Sequence, residues 1–315
     1  MAVGGDPRAN GAGDMTGFVT EALVSVETEP APPRLRGRVL EAALASRPAG
    51  RPPHTVPLSP VEAYRRTIGE LDELLGGLDA AAWAAVVTHY GWTVQGLVGH
   101  LLAVERLLAA RLGQGDVPDR ADADHITMSL DVVAAQDERD PAATLHEWRA
   151  TTRLVFDALA TEPPELGERV PFHGIEYRWS TLLVARTLEV WTHADDIRSA
   201  VGEPLRAPDD ERLSLMTDLA VRTLPLRLAT TGTYSGTARI VLTGPGGGAW
   251  TQPLGLGGAP GEPGDTAPDV RLVADAVAFC RLSAGRIDAA DLDVTVTGDP
   301  PLAAAILASA AAFAV

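Results

Sequence analysis

The stretch WSTLLVARTLEVWTHADDIRSAVG, residues 179–202, decides the fold and the place of the chemistry. It reads as one long helix from Trp179 to Val201 that stops at Gly202, a residue suited to helix ends. Glu189 and His193 lie four residues apart, so they stand one turn apart on the same face. Leu182, Ala185, Arg186, Ile197 and Ala200 share that face. It is largely apolar, so the carboxylate and the imidazole are expected to point inward.

GWTVQGLVGHLLAVERLLAARLG, residues 91–113, reads as a second helix from Thr93 to about Leu112. His100 falls on a face with Leu97, Ala103, Val104 and Leu107 and is expected to point inward too. An ionised carboxylate is costly to bury alone. Two imidazoles and one carboxylate turned into the same interior therefore suggest a shared cation. Zn²⁺ accepts this donor set, and three protein ligands leave a fourth position open, the pattern of a catalytic site. The residues alone leave another reading open. A His on an apolar face is often a satisfied core residue, and Glu–His at i, i+4 can be a simple hydrogen-bonded or surface ion pair. Nor do they separate zinc from nickel or iron.

Two more helices complete the pattern. Ser59-Pro60 opens one with a capping Ser and a Pro at the first helical position, and Tyr64, Ile68, Leu71 and Leu75 form its stripe up to Gly76-Gly77. Asp140-Pro141 opens another that carries Leu145, Trp148, Thr152, Val155 and Leu159 on one face. Four amphipathic helices predict a four-helix bundle over residues 58–203. The polar stretch from Gly113 to Asp140 is expected to be a long loop over the mouth of a site.

After Pro204 the texture changes to a helix over Asp209–Arg227 and short β-like runs. Thr237–Thr243 and Ala249–Leu256 flank GPGGG, a hairpin turn. Val270–Val273, a helix to about Ser283, Leu292–Thr297 and a last helix make residues 204–315 an α+β unit, and the chain as a whole α+β. Residues 1–57 are expected to be a largely disordered extension, with a short helix over Arg34–Ser46.

Composition narrows the function. A formal net charge of −16 disfavours nucleic acid and anionic membrane as partners, while local arginines can still receive a small anion. The chain contains no lysine, and with its Ala, Gly and Pro it reads as the product of a high-GC genome. The single Cys280 excludes a disulfide framework and any multi-cysteine metal site. It sits in VAFCRL on a buried face, so it is expected to be a small core residue. No signal-peptide pattern or spanning segment is evident, so a cytoplasmic location is expected. GPGGG lacks the helix and Lys-Ser/Thr of a phosphate loop. His54, His89, His125, His146 and His173 fall in loops or on mixed faces, and most are expected to be solvated.

WTVQGLVGHL (92–101) together with RTLEVWTHADDIRSAVG (186–202) resembles the paired signature of the mycothiol-dependent maleylpyruvate isomerase family, within the DinB-like bundle superfamily. FCRLSAGRIDAADLDVTVTGDPPLAAAILASAAAF (279–313) resembles the sterol-carrier-like second domain of that family. The resemblance implies zinc held by His100, Glu189 and His193, with mycothiol as thiol cosubstrate. It implies an isomerase or thiol S-transferase acting on a small, maleylpyruvate-like electrophile. Asp196 then could orient His193 from behind, or else be an exposed partner of Arg198 or Arg186. Arg286 matches an arginine common in this part of the family, where it could neutralise a substrate carboxylate. Its plainer reading is a helix-end surface residue. Two other functions stay open: a zinc-dependent hydrolase using metal-bound water, and a regulatory role for the extension. PPRLRGRVLEAALASRP (32–48) loosely resembles a linker of some actinobacterial anti-sigma factors.

Overall fold

The computed structural model describes residues 58–115, 117, 125–232, 234–255 and 267–311. The extension, with its expected helix over Arg34–Ser46, lies outside them.

Helix starts follow the capping chemistry. Ser59 accepts from the Glu62 amide and Pro60 occupies the first turn of α1 (Pro60–Gly77). Beyond a one-turn α2 (Ala80–Trp83), β1 (Val86–Val87) and β2 (Trp92–Thr93) pair antiparallel. Thr93 then caps α3 (Val94–Arg111) through the Gly96 amide. Helix α4 covers His125–Asp137, and Asp140 caps α5 (Pro141–Thr161). The hairpin β3 (Arg169–Phe172) and β4 (Ile175–Arg178) leads into α6 (Trp179–Val201), closed by Gly202 at φ 74. Gly202 is left-handed, a conformation glycine adopts without a Cβ penalty.

The expectation of a loop between Gly113 and Asp140 needs correcting, since α4 fills its second half and packs on α3. Its buried face is thin in apolar residues: Ser129, Val133 and Gln136. The polar two are satisfied locally, with Ser129 Oγ donating to Ile126 O and Gln136 Oε1 accepting from Thr144. Close approach replaces apolar bulk here. A Cβ on Gly99 would lie 3.1 Å from Val133 Cα.

Past α6, the expected helix over Asp209–Arg227 is two: α7 (Asp210–Arg222) and α8 (Leu224–Thr231). Pro225 has no amide to continue the ladder and its ring crowds the preceding turn, so a new helix starts there. Strands β5 (Thr237–Thr243), β6 (Gly248–Pro253), β7 (Val270–Asp275) and β8 (Val294–Gly298) form one sheet in the order β6-β5-β7-β8. Only β5 and β7 pair parallel. Helices α9 (Ala276–Ser283) and α10 (Pro300–Ala311) complete the order. Cys280 is fully buried, and burial pushes its thiol up to about 12, in keeping with a core residue.

Two hydrophobic clusters result, and α6 belongs to both. Leu182, Leu183, Val190 and Ile197 join Tyr64, Leu71, Leu97, Leu101 and Trp148 in one. Val184, Leu188 and Trp191 join Leu213, Met216, Ile240, Leu272, Phe279 and Ile306 in the other. With apolar residues turned to both clusters, α6 is a buried helix, and Arg186, Glu189, His193, Asp195 and Arg198 are buried with it.

The GPGGG segment is a turn between β5 and β6. Gly246 sits at φ +65, and a Cβ there would lie 2.6 Å from Leu213 Cβ and 2.8 Å from the Ser214 amide. Gly246→Ala is expected to lower unfolding free energy by about 2 kcal/mol, from backbone strain and overlap together. Urea unfolding checks this; an unchanged midpoint would contradict the packing described.

Candidate metal centre

His100, Glu189 and His193 come together. Each offers one ligand atom, these atoms lie within 4.8 Å of one another, and all three residues are buried. The two imidazoles meet edge to face with centroids 5.3 Å apart. Helix α3 supplies the first, and α6 supplies the other two from successive turns.

Hydrogen bonding decides which nitrogen each ring presents. The single proton of the Ser129 hydroxyl goes to Ile126 O at 2.8 Å, so toward His100 the hydroxyl accepts. His100 Nδ1 at 2.9 Å is therefore the donor, and in the neutral ring Nε2 keeps the lone pair. His193 Nδ1 lies 3.0 Å from Asp196 Oδ2, which as a carboxylate can only accept. Its Nε2 also keeps the lone pair and has no hydrogen-bond partner among the described residues. Burial lowers the His193 pKa and outweighs the opposing pull of Asp196, so the ring is neutral. Burial alone would raise Asp196, but the bonds from His193 and Arg286 hold it at about 2. Two lone-pair nitrogens and a carboxylate oxygen thus face one small volume, a donor set that fits Zn²⁺.

Glu189 is fixed from behind. Its Oε1 lies 3.5 Å from His100 Nε2, while Oε2 pairs with Arg186 Nη1. Arg186 Nη2 donates to Glu105 Oε1 at 2.6 Å, and Tyr64 donates its hydroxyl to Glu105 Oε2. Burial works against the Arg186 charge, but Glu189 and Glu105 hold its pKa above the usual value. Burial, then Glu105, raises that of Tyr64. Two carboxylates and one guanidinium leave this buried group with one net negative charge, which favours a cation beside it. The sequence reading placed Arg186 on the inward face but missed Glu105. The signal was present as a carboxylate inside the apolar run LLAVERLLAA of the facing helix.

The rim is aromatic. Tyr90 stacks on Trp92 at 4.9 Å between centroids, Trp92 approaches the His100 ring at 5.7 Å, and Tyr90 approaches His193 at 5.6 Å. Arg286, following α9, reaches back to this rim. It donates to Asp196 Oδ1 at 2.8 Å, to Oδ2 at 2.7 Å and to the Tyr90 hydroxyl at 2.8 Å. Its side chain is only 11% exposed, which excludes a surface arginine. Arg198 pairs with Asp195 and Arg186 with the two glutamates, so neither is the partner of Asp196. His89, exposed, stands against Tyr90 and Arg286. Partial burial and the Arg286 charge lower its pKa. Of the other histidines, His146 is exposed and His173 is half-buried against Met128. His54 and the side chain of His125 lie outside the described residues.

Comparison with known proteins agrees with this architecture. Residues 64–198 match the family described as the mycothiol maleylpyruvate isomerase N-terminal domain. Two uncharacterized proteins of Mycobacterium tuberculosis, one from each of two strains, are 27% identical over 245 residues, covering 76% of this chain and 90% of theirs. The crystal structure of the mycothiol-dependent maleylpyruvate isomerase shares the fold, with a TM-score of 0.50 at 19% identity. That of a point mutant gives 0.51 at 18%. Each likeness spans 77% of this chain and 93% of the solved one.

The low pKa of Asp196 carries a pH dependence. A carboxyl depressed from 3.8 to about 2 on folding stabilises the fold fully above the unfolded value, and the contribution is lost as pH falls through the folded one. The acid limb of wild-type stability should therefore include a loss of about 2 kcal/mol between roughly pH 4 and pH 2. Asp196→Asn should be less stable near neutrality and converge with wild type in acid, measured by denaturant unfolding against pH. Parallel curves would show that the contacts of Asp196 add nothing to stability.

Proposed function

We propose that this chain, whose residues 64–198 match the mycothiol maleylpyruvate isomerase N-terminal domain family, is a zinc-assisted enzyme that joins mycothiol to a small electrophile. The observation that carries this reading is the pinning of both imidazoles as Nδ1 donors, which aims two Nε2 lone pairs and Glu189 at the same buried volume. His100, Glu189 and His193 would hold the ion. Zinc bound there supplies Lewis acidity, which lowers the pKa of a thiol and makes thiolate available near neutral pH.

The remaining residues position and shield. Ser129 and Asp196 fix the two rings, and Arg186 fixes the carboxylate. Tyr90 and Trp92 cover the imidazoles with apolar faces and limit water. Arg286 is held in place by Asp196 and would orient an anionic or carbonyl group of the electrophile. Burial raises the Tyr90 pKa, so its hydroxyl keeps a proton at neutral pH. Isomerisation and transfer differ by that proton. In isomerisation the thiolate adds to an activated C=C bond, the new single bond rotates, and the same thiolate leaves, with no net proton moved. Conjugate addition that stops halfway needs a proton at carbon. The thiol releases one when it ionises, and the Tyr90 hydroxyl on the rim would relay that proton and recover its own. Among the described residues no helix is long and apolar enough to cross a membrane, and the partners in this reading are small molecules.

Elemental analysis of the purified protein beside His193→Ala is the first test. About one zinc per chain is expected in the wild type and little in the variant. Turnover of maleylpyruvate or a related electrophile should require added mycothiol and fall at least about a hundredfold in the variant. A wild type that neither contains nor takes up zinc would overturn the reading. Turnover without any thiol would point instead to hydrolysis.

A further inference from the structure

A carboxylate beside a dication can bind through one oxygen or both, and nothing in the triad alone chooses. The buried charges behind Glu189 do. Oε2 is engaged by Arg186 Nη1, which leaves Oε1 on the side of His100 and His193. Arg186 has little room to swing, because it is 1% exposed and its other terminal nitrogen is held by Glu105. Glu105 is itself held on its second oxygen by Tyr64 from α1. The orientation of Glu189 is thus set by three helices.

We propose that Arg186 and Glu105 act together as a charge-neutral clamp that restricts Glu189 to one ligating oxygen. Arg186 is then a positioning residue that favours a low coordination number. This rests on the metal reading above and deepens it. The two halves of the clamp have separable duties. Arg186 withholds the second oxygen, but a guanidinium three residues from a metal ligand would by itself repel a dication. Glu105 cancels that charge, so the group returns to one net negative charge. Ions that demand six oxygen-rich ligands are disfavoured by such a site, whereas zinc and cobalt accept four donors of this kind.

The separation makes the proposal testable on metal binding, without turnover. Cobalt(II) loaded into the wild type should give the intense visible bands of a four-coordinate ion, and zinc affinity is read by chelator competition. Glu105→Gln unmasks the Arg186 charge. It should weaken zinc binding roughly ten- to a hundredfold while leaving the cobalt band shape unchanged. The double variant Glu105→Gln with Arg186→Gln keeps one net negative charge. It should bind zinc within a few fold of the wild type, but lose cobalt band intensity as the freed oxygen enters the coordination sphere. A double variant with the wild-type spectrum, or a Glu105→Gln protein with undiminished affinity, would overturn the clamp. If the double variant does not fold, Arg186→Lys serves in its place: it keeps the positive charge but loses the second terminal nitrogen that bridges Glu105 and Glu189. Zinc affinity is then expected within a few fold of the wild type with a smaller loss of band intensity, and an unaltered spectrum counts against the proposal. Failure of the wild type to take up cobalt or zinc at all would instead sink the metal reading.

Discussion

The burial of a carboxylate on α6 is the constraint on which the site depends. Glu189 sits in a helix covered on all sides, with one hydrophobic cluster on either flank. Hydration is lost there, and a lone ionised group would neutralise or destabilise the fold. Its neighbours are arranged to prevent that. Arg186 lies one turn away on the same helix, Glu105 faces it from α3, and the two imidazole nitrogens stand on the opposite side. Once Glu189 must stay charged, the inward cation, the second carboxylate and the tyrosine that satisfies it follow in turn. Each repairs the charge or hydrogen-bond deficit left by the one before.

Much of this could be read from the sequence, and for physical reasons. Helix limits were legible because capping is local: Ser59-Pro60, Thr93, Asp140-Pro141 and Gly202 each mark a terminus that the structure places there. The triad was legible because a spacing of four puts two side chains on one face, and that face was apolar. What could not be read is tertiary. Helix α4 offers one apolar residue, Val133, on its buried face and owes its place to the close approach allowed by Gly99. The break at Thr223 depends on a single proline that a periodicity window averages away. The pairing of Arg186 with Glu105 joins residues 81 positions apart, and no spacing rule reaches that far. His89 and Tyr90 read as loop residues because their position follows from the short β1–β2 pairing.

The dipeptide Asp195-Asp196 shows how the two clusters become one site. Neighbouring positions on a helix point about 100° apart, so two adjacent carboxylates can serve different partners. Asp195 accepts from Arg198, the Arg206 amide and Arg281, which ties α6 to the segment after it and to α9. Trp191 adds a bond to Arg206 O in the same junction. Asp196 takes His193 on one side and Arg286 on the other.

That second carboxylate has a consequence for how the site could work. The oxygens that set the tautomer of His193 also hold the guanidinium that reaches the Tyr90 hydroxyl. Any displacement of the segment carrying Arg286 must therefore disturb either the Asp196 rotamer or the Arg286 bonds to it. Under the proposed function, orientation of the electrophile and presentation of the metal-binding nitrogen are coupled through one side chain. The price is three arginines and a pair of aspartates gathered at this junction, in a chain whose net charge is already −16. Within the site Asp196 and Arg286 neutralise each other. Under the proposed function, the charge left for an incoming anion to meet is then that of the triad and the ion it would hold, and the low pKa of Asp196 keeps this balance constant across the neutral range.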